Sequence, residues 1–276
     1  MTRSNEERMP GYAPGVAHSD EDAPVPEGTT AAADDLGGTL AALADDDLDT
    51  AGRRNALARL AGQLKQRGVG DLFKPRGAMR WIADAVGDVV PHLPIRGLTT
   101  LREHFPGLSD DEIAERLVRN AARATAAIGA AGGGIAAVEW VATPTLLTAP
   151  VLLATETVAV VAVEIKLIGE LHELYGVPIE GSSTQRTVAL LHSWAQRRGI
   201  KLMPGMGLAT ILGTGVRREL RDRLLKRFGR NLTSYGPMLT GAAVASYLNR
   251  RATLALAEHI RKDLRKDRKI IESSAY

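Results

Sequence analysis

An all-α fold, a multi-helix bundle of closely packed Gly/Ala-rich helices, follows from three features of this 276-residue chain. Hydrophobic residues make up 45% of it but aromatics only 4%. The core must therefore be assembled from Ala, Val, Leu and Ile, which favours close helix contacts. Apolar residues recur three or four positions apart in one segment after another, which is the helical period. Finally, residues 123–176 couple a stretch of small side chains to a long apolar segment carrying isolated charges.

Residues 1–48 hold Pro10, Pro14, Pro24 and Pro26, acidic clusters at Asp20 to Asp22 and Asp45 to Asp47, and few large apolar side chains. Such a segment cannot bury enough surface to offset the entropy of ordering, so it reads as an acidic disordered tail with one helical turn around Leu40 to Leu43. Folded back, it would shield a basic body. A single helical domain is expected over 49–270, followed by a short tail at 271–276.

Helical periodicity begins at Thr50, with Ala56, Leu57, Leu60 and Leu64 inward and Gly68 as the stop. A second helix covers roughly Gly77 to Val90, with Met79, Ile82, Ala83 and Val86 inward, before Pro91 and Pro94 break the chain. A short helix is expected around Thr99 to His104. Ser109 and Glu112 then form a capping box, each side chain reaching the other residue's backbone N–H, for a helix through Ile113, Leu117, Ala121 and Ala124. That helix feeds into Gly129, Gly132, Gly133 and Gly134. Gly129 and Gly133 have the G-x-x-x-G spacing of close helix contacts, and packing or a bend must offset the glycines' weak helix propensity.

Trp140 to Pro150 reads as a bent connection, and the apolar helix starts near Pro150 and stops at Gly176 and Pro178. Its charges decide between lipid and protein. Ten Val, Leu or Ile residues at 151–168 favour insertion by about 3–6 kcal/mol in total, whereas Glu156, Glu164 and Lys166 oppose it by about 7–10 kcal/mol at mid-bilayer. A helix buried in protein is the expectation. After it, Ser183 or Thr184 starts a helix with Val188, Leu191, Trp194 and Ala195. The next helix, Val216 to Arg230, has an apolar stripe flanked by Arg217, Arg218, Arg221, Arg223, Lys226, Arg227 and Arg230. The last begins after Pro237, runs Leu248, Ala252, Leu256, Ile260 and Leu264 down one row, and closes on the basic run Arg261 to Lys269.

Charge is distributed unevenly. Residues 1–50 hold 2 basic and 12 acidic side chains, and the remainder 33 basic and 20 acidic. A basic body suggests an anionic partner, either a membrane surface or nucleic acid. Few aromatics are available to stack on single strands, so nucleic acid is the weaker alternative. The amino terminus lacks the apolar core of a signal peptide, so a cytoplasmic protein peripheral to the inner membrane face is expected.

No catalytic motif stands out, and no cofactor or metal site is expected. The chain has no cysteine, hence no disulfide or thiolate site. His172-Glu173 begins like a zinc-protease motif, but Gly176 stands where the second histidine belongs. GMGLATILGTG lacks the Lys-Ser/Thr of a phosphate loop. Glu156 and Glu164 are candidate buried carboxylates, paired with arginines such as Arg119 and Arg123. The alternative is an acid/base pair in a lipid-acting enzyme.

GAAGGGIAAVEW, the later IGELHELYGVPIE and GPMLTGAAVASYLNRRATLALAEHIRK together resemble the EcsC family over roughly residues 51–267. The resemblance implies an all-helical bacterial protein of unknown molecular function. It also implies a link to a membrane protein such as an ABC transporter, and it supplies no catalytic residues to carry over.

Overall fold

The computed structural model describes residues 27–45, 48–66, 68–142, 148–198 and 237–274. Among these the chain forms eight α-helices and two 3-10 turns: α1 Glu27–Leu43, α2 Thr50–Lys65, α3 Pro75–Val89, α4 Leu98–His104, α5 Asp110–Ala142, α6 Thr148–Leu174, α7 Ser183–Arg197 and α8 Pro237–Ser274, with the turns at Gly70–Phe73 and Val90–His92. The all-helical expectation is met. The expected helix from Val216 to Arg230 lies outside the described residues, as does GMGLATILGTG.

α6 is the axle of the bundle and touches each of the other seven helices. Its sequence requires this, because Val158, Val161, Ile165 and Ile168 point one way, Val160, Val163, Leu167 and Leu171 another, and all eight are buried. A helix apolar on all sides needs neighbours on all sides. None of the described helices is long and apolar enough to cross a membrane. Pro150 sits inside the first turn of α6, and Gly176 ends it at φ +71°, a left-handed backbone that glycine adopts without a steric penalty.

α5 and α8 form the second framework. Asp111 meets Arg265, Thr125 meets Thr253, and Gly129 lies against Ala245 and Asn249. The partner number falls as the α5 number rises, so the two helices run antiparallel in one register. A Cβ on Gly129 would stand 2.7 Å from Asn249 Nδ2 and 2.9 Å from the backbone carbon of Ala245. Only glycine permits that crossing. The helix continues unbroken through Gly132 to Gly134, so packing rather than a break offsets their low propensity. The glycines serve two neighbours: Gly129 serves α8, while a Cβ on Gly132 would come within 2.7 Å of Glu156 Oε2 on α6.

Local signals set the helix starts. Ser109 Oγ and backbone N bond the Glu112 carboxylate at 2.7 and 2.8 Å. Ser182 and Gln185 make a second capping box ahead of α7. Asp49 accepts from Gly52 N at 2.7 Å ahead of α2.

Three boundaries differ from the sequence expectation. The acidic tail does not extend to residue 48, because α1 occupies Glu27–Leu43 and buries Leu40 and Leu43 in the common core. Its C-terminal carbonyls, normally orphans, are taken up by Arg53 of α2, which donates to Leu43 O and Asp45 O, both at 2.7 Å. At the other end α8 continues to Ser274, so residues 271–274 are helix rather than tail. Helix occupies both ends of the stretch Trp140 to Pro150, expected as a bent connection: α5 runs to Ala142 and α6 starts at Thr148. On α7 Val188 is exposed, and Leu190 is buried with Leu191, Trp194 and Ala195.

Candidate functional site

Two charged assemblies are candidates for function, one inside the bundle and one on its surface. The inner one consists of the carboxylates of α6, Glu156, Glu164 and Glu170, all buried. Glu170 takes Arg96 Nε at 2.7 Å and Nη2 at 3.1 Å, together with Lys166 one turn away. This two-pronged contact fastens the segment before α4 onto α6, where Gly169 leaves room for Ile95.

Glu164 is fully enclosed and draws three elements together. Trp194 Nε1 of α7 donates to Oε2 at 2.8 Å, Thr253 Oγ1 of α8 donates to Oε1 at 2.8 Å, and Arg198 closes an ion pair. Because Thr253 spends its only proton on Glu164, it accepts from Thr125 Oγ1, 2.9 Å away on α5. Asn249 Nδ2 adds a bond to Thr125 O at 3.0 Å. One carboxylate thus organises four helices.

The partner expected for this carboxylate is corrected. Arg119 lies on the exposed face of α5 and pairs with Glu115 one turn back, and Arg123 is also exposed. Helical spacing of α5 allowed either to face α6. The inward positions went instead to Ala121, Ala122, Ala124 and Thr125, whose small side chains allow close approach. Arg198, just past the end of α7, reaches in from a loop boundary that no periodicity marks. Glu156 is buried against Gly132. It stands eight residues from Glu164, about 12 Å along the axis, in separate surroundings, so the two do not share a proton.

At the rim of α6, His172 Nδ1 bonds Val177 O at 3.0 Å, while Nε2 is buried with no hydrogen-bond partner among the described residues. Burial, reinforced by Arg197, pushes its pKa below 6.5 against the opposing pull of the Val177 carbonyl and Asp267. Among the described residues no three His, Asp or Glu side chains gather as metal ligands.

The surface assembly lies where the C-terminal half of α8 crosses α5. Val118, Leu254, Glu258, Arg261, Lys262, Arg265, Lys266 and Lys269 line a groove of about 680 Å³. Its cations fall into two sets. Arg265 Nη2 bonds Asp111 at 2.6 Å, Arg261 approaches the same carboxylate at 3.7 Å, and Tyr175 Oη donates to it at 3.1 Å. Arg265, opposed in part by burial and assisted by Tyr175 and Arg261, holds the Asp111 carboxyl below its ordinary range. Arg268 and Arg102 approach Asp110 in the same way. Asp110, Asp111 and Glu112 form the first turn of α5, where negative charge also suits the helix dipole. Lys262, Lys266 and Lys269, at i, i+4 and i+7, are exposed and have no ion pair among the described residues.

The basic run Arg261 to Lys269 was legible in sequence, but its division into paired arginines and unpaired lysines was not. The other seven candidate cations, Arg217, Arg218, Arg221, Arg223, Lys226, Arg227 and Arg230, lie outside the described residues.

Among the described residues, fold and site together define a helical bundle whose buried Glu164 and Glu170 are neutralised internally, with a basic groove on the surface. Comparison with protein-family models, curated proteins and solved structures found no match.

Proposed function

We propose that this protein associates peripherally with an anionic membrane surface through the basic groove of α8, as a non-enzymatic binding protein. The observation that carries this reading is the set of three lysines, Lys262, Lys266 and Lys269, exposed on one face with no ion pair among the described residues. Each Lys near an anionic leaflet contributes about 1 kcal/mol, so three give reversible attachment, strengthened by any further basic contact. The basic sequence from Arg217 to Arg230 supports the same reading, as does the resemblance of residues 51–267 to the EcsC family, with its implied link to a membrane protein such as an ABC transporter. Nucleic acid is disfavoured because no aromatic side chain lines the groove.

Co-flotation with vesicles tests the proposal. The full chain is expected to float with phosphatidylglycerol-containing vesicles at low salt, to be released by high salt, and to ignore pure phosphatidylcholine. Equal binding to both lipids, or binding to neither, would refute it.

A further inference from the structure

The helix face that carries the lysines also carries three of the four large apolar side chains exposed on α8 among the described residues; the fourth, Ile270, lies past the lysines and outside this face. Val244, Tyr247 and Leu254 are 51%, 60% and 39% exposed, although α8 has a buried face available to apolar residues in Leu256, Ala257, Ile260 and Leu264. At about 100° per residue, Val244, Tyr247, Leu254, Lys262, Lys266 and Lys269 fall within about 120° of arc. Apart from Arg251 and Glu258, which share this arc, the face is apolar first and cationic after along the helix axis, where an ordinary surface helix separates the two around the axis. From Val244 to Lys269 the face is about 38 Å long, at 1.5 Å per residue. Val118 of α5 continues the apolar floor beneath Leu254.

An anion alone would need no apolar approach, and an apolar ligand alone would need no lysines. We propose that this face binds a single phospholipid molecule bearing an anionic phosphate headgroup, with the headgroup against Lys262, Lys266 and Lys269 and an acyl chain laid over Leu254 towards Tyr247 and Val244. This rests on the membrane-surface reading and sharpens it, because it makes the lipid a stoichiometric ligand as well as a charged plane. Two polar groups interrupt the path. Arg251 Nη1 donates to Tyr247 Oη at 3.4 Å and adds a further cation beside the chain. Glu258 lies at the border of the two halves, where it disfavours a headgroup seated too far towards the apolar end. The groove volume of about 680 Å³ accommodates a headgroup and the first part of a chain.

The test is titration calorimetry of the full chain with dioctanoyl phosphatidic acid below its micellar concentration, beside dioctanoyl phosphatidylcholine and inorganic phosphate. Saturable one-to-one binding of the phosphatidic acid alone is expected. Joint replacement K262Q, K266Q and K269Q should weaken it about 100-fold. Joint replacement Y247S and L254S should weaken it about tenfold through lost apolar burial, leaving salt-sensitive vesicle flotation in place. Saturable binding of inorganic phosphate with equal affinity, or unaltered binding in the Y247S/L254S protein, would overturn the acyl-chain assignment. Flotation on anionic vesicles without any binding of the monomeric lipid would overturn this inference while leaving the membrane reading intact. Absence of both would remove both.

Discussion

The axial helix α6 and the terminal half of α8 are both rich in charge, and they use it in opposite ways. Along α6, Glu164 and Glu170 are inside the protein, and each is met by donors from outside the helix, Arg198, Trp194 and Thr253 for one and Arg96 for the other, with Lys166 of α6 itself also bonding Glu170. Along α8 the arginines nearest α5 are paired with Asp110 and Asp111, and the lysines facing away from those pairs have no counter-ion among the described residues. Charge that is neutralised inside the fold fixes the arrangement of helices. Charge left uncompensated on the surface is available to a partner. The count of basic residues in a segment does not separate these cases, and the pairing pattern does.

Breaking the inner half of the comparison has the largest expected effect. Arg198→Met leaves Glu164 enclosed with its charge uncompensated, and should cost about 3–5 kcal/mol of stability in urea unfolding. Replacing Glu164 and Arg198 together by apolar residues should recover much of that loss. A double variant as unstable as the single would mean that the ion pair is not what makes the single change costly. Gly129→Ala comes next. Its methyl group meets the backbone of Ala245, which cannot swing aside as a side chain can, so the α5–α8 crossing must open at about 1–3 kcal/mol. Gly132→Ala meets only the end of the Glu156 side chain and should cost less.

A smaller, pH-dependent effect belongs to His172. Its folded pKa is depressed by burial, so below 6.5 the unfolded chain takes up a proton that the folded protein resists. Stability contributed by the neutral ring is fully present above that value and is lost as pH falls towards the folded pKa. The urea midpoint should therefore drop between about pH 7.5 and about pH 5.5, and His172→Phe should flatten the drop. An unchanged slope in the variant would remove His172 as its cause. Asp111 works at lower pH: its depressed pKa gives stability that is present above 3.8 and lost beneath it, and its exposure keeps the effect small.

What could be read from sequence follows physical range. α2, α5, α6 and α7 were visible because periodicity and capping boxes are local, within a turn or two of the residues concerned. The burial of α6 was legible because its apolar residues cover the whole circumference, and its three charges made a lipid span costly. α1 was missed for the opposite reason. EGTTAAADDLGGTLAAL has three glycines, counting that of its first turn, and a weak apolar stripe, and its C-terminus is secured by Arg53, a residue of the next helix. The partner of Glu164 was missed because it comes from the end of α7, thirty-four residues away in sequence. The candidate groove was half legible: the basic run stood out, but which cations Asp110 and Asp111 neutralise depends on the antiparallel register of α5 and α8.

The central claim is that the unpaired lysines of α8 serve a partner while the paired charges serve the fold. It is tested most directly by measuring anionic-vesicle binding and thermal unfolding on one sample of the K262Q, K266Q and K269Q protein. The account predicts that flotation is largely lost while the melting temperature stays within about 1 °C of the parent, since exposed charges contribute little to stability. Full retention of flotation, or a large fall in melting temperature, would contradict it.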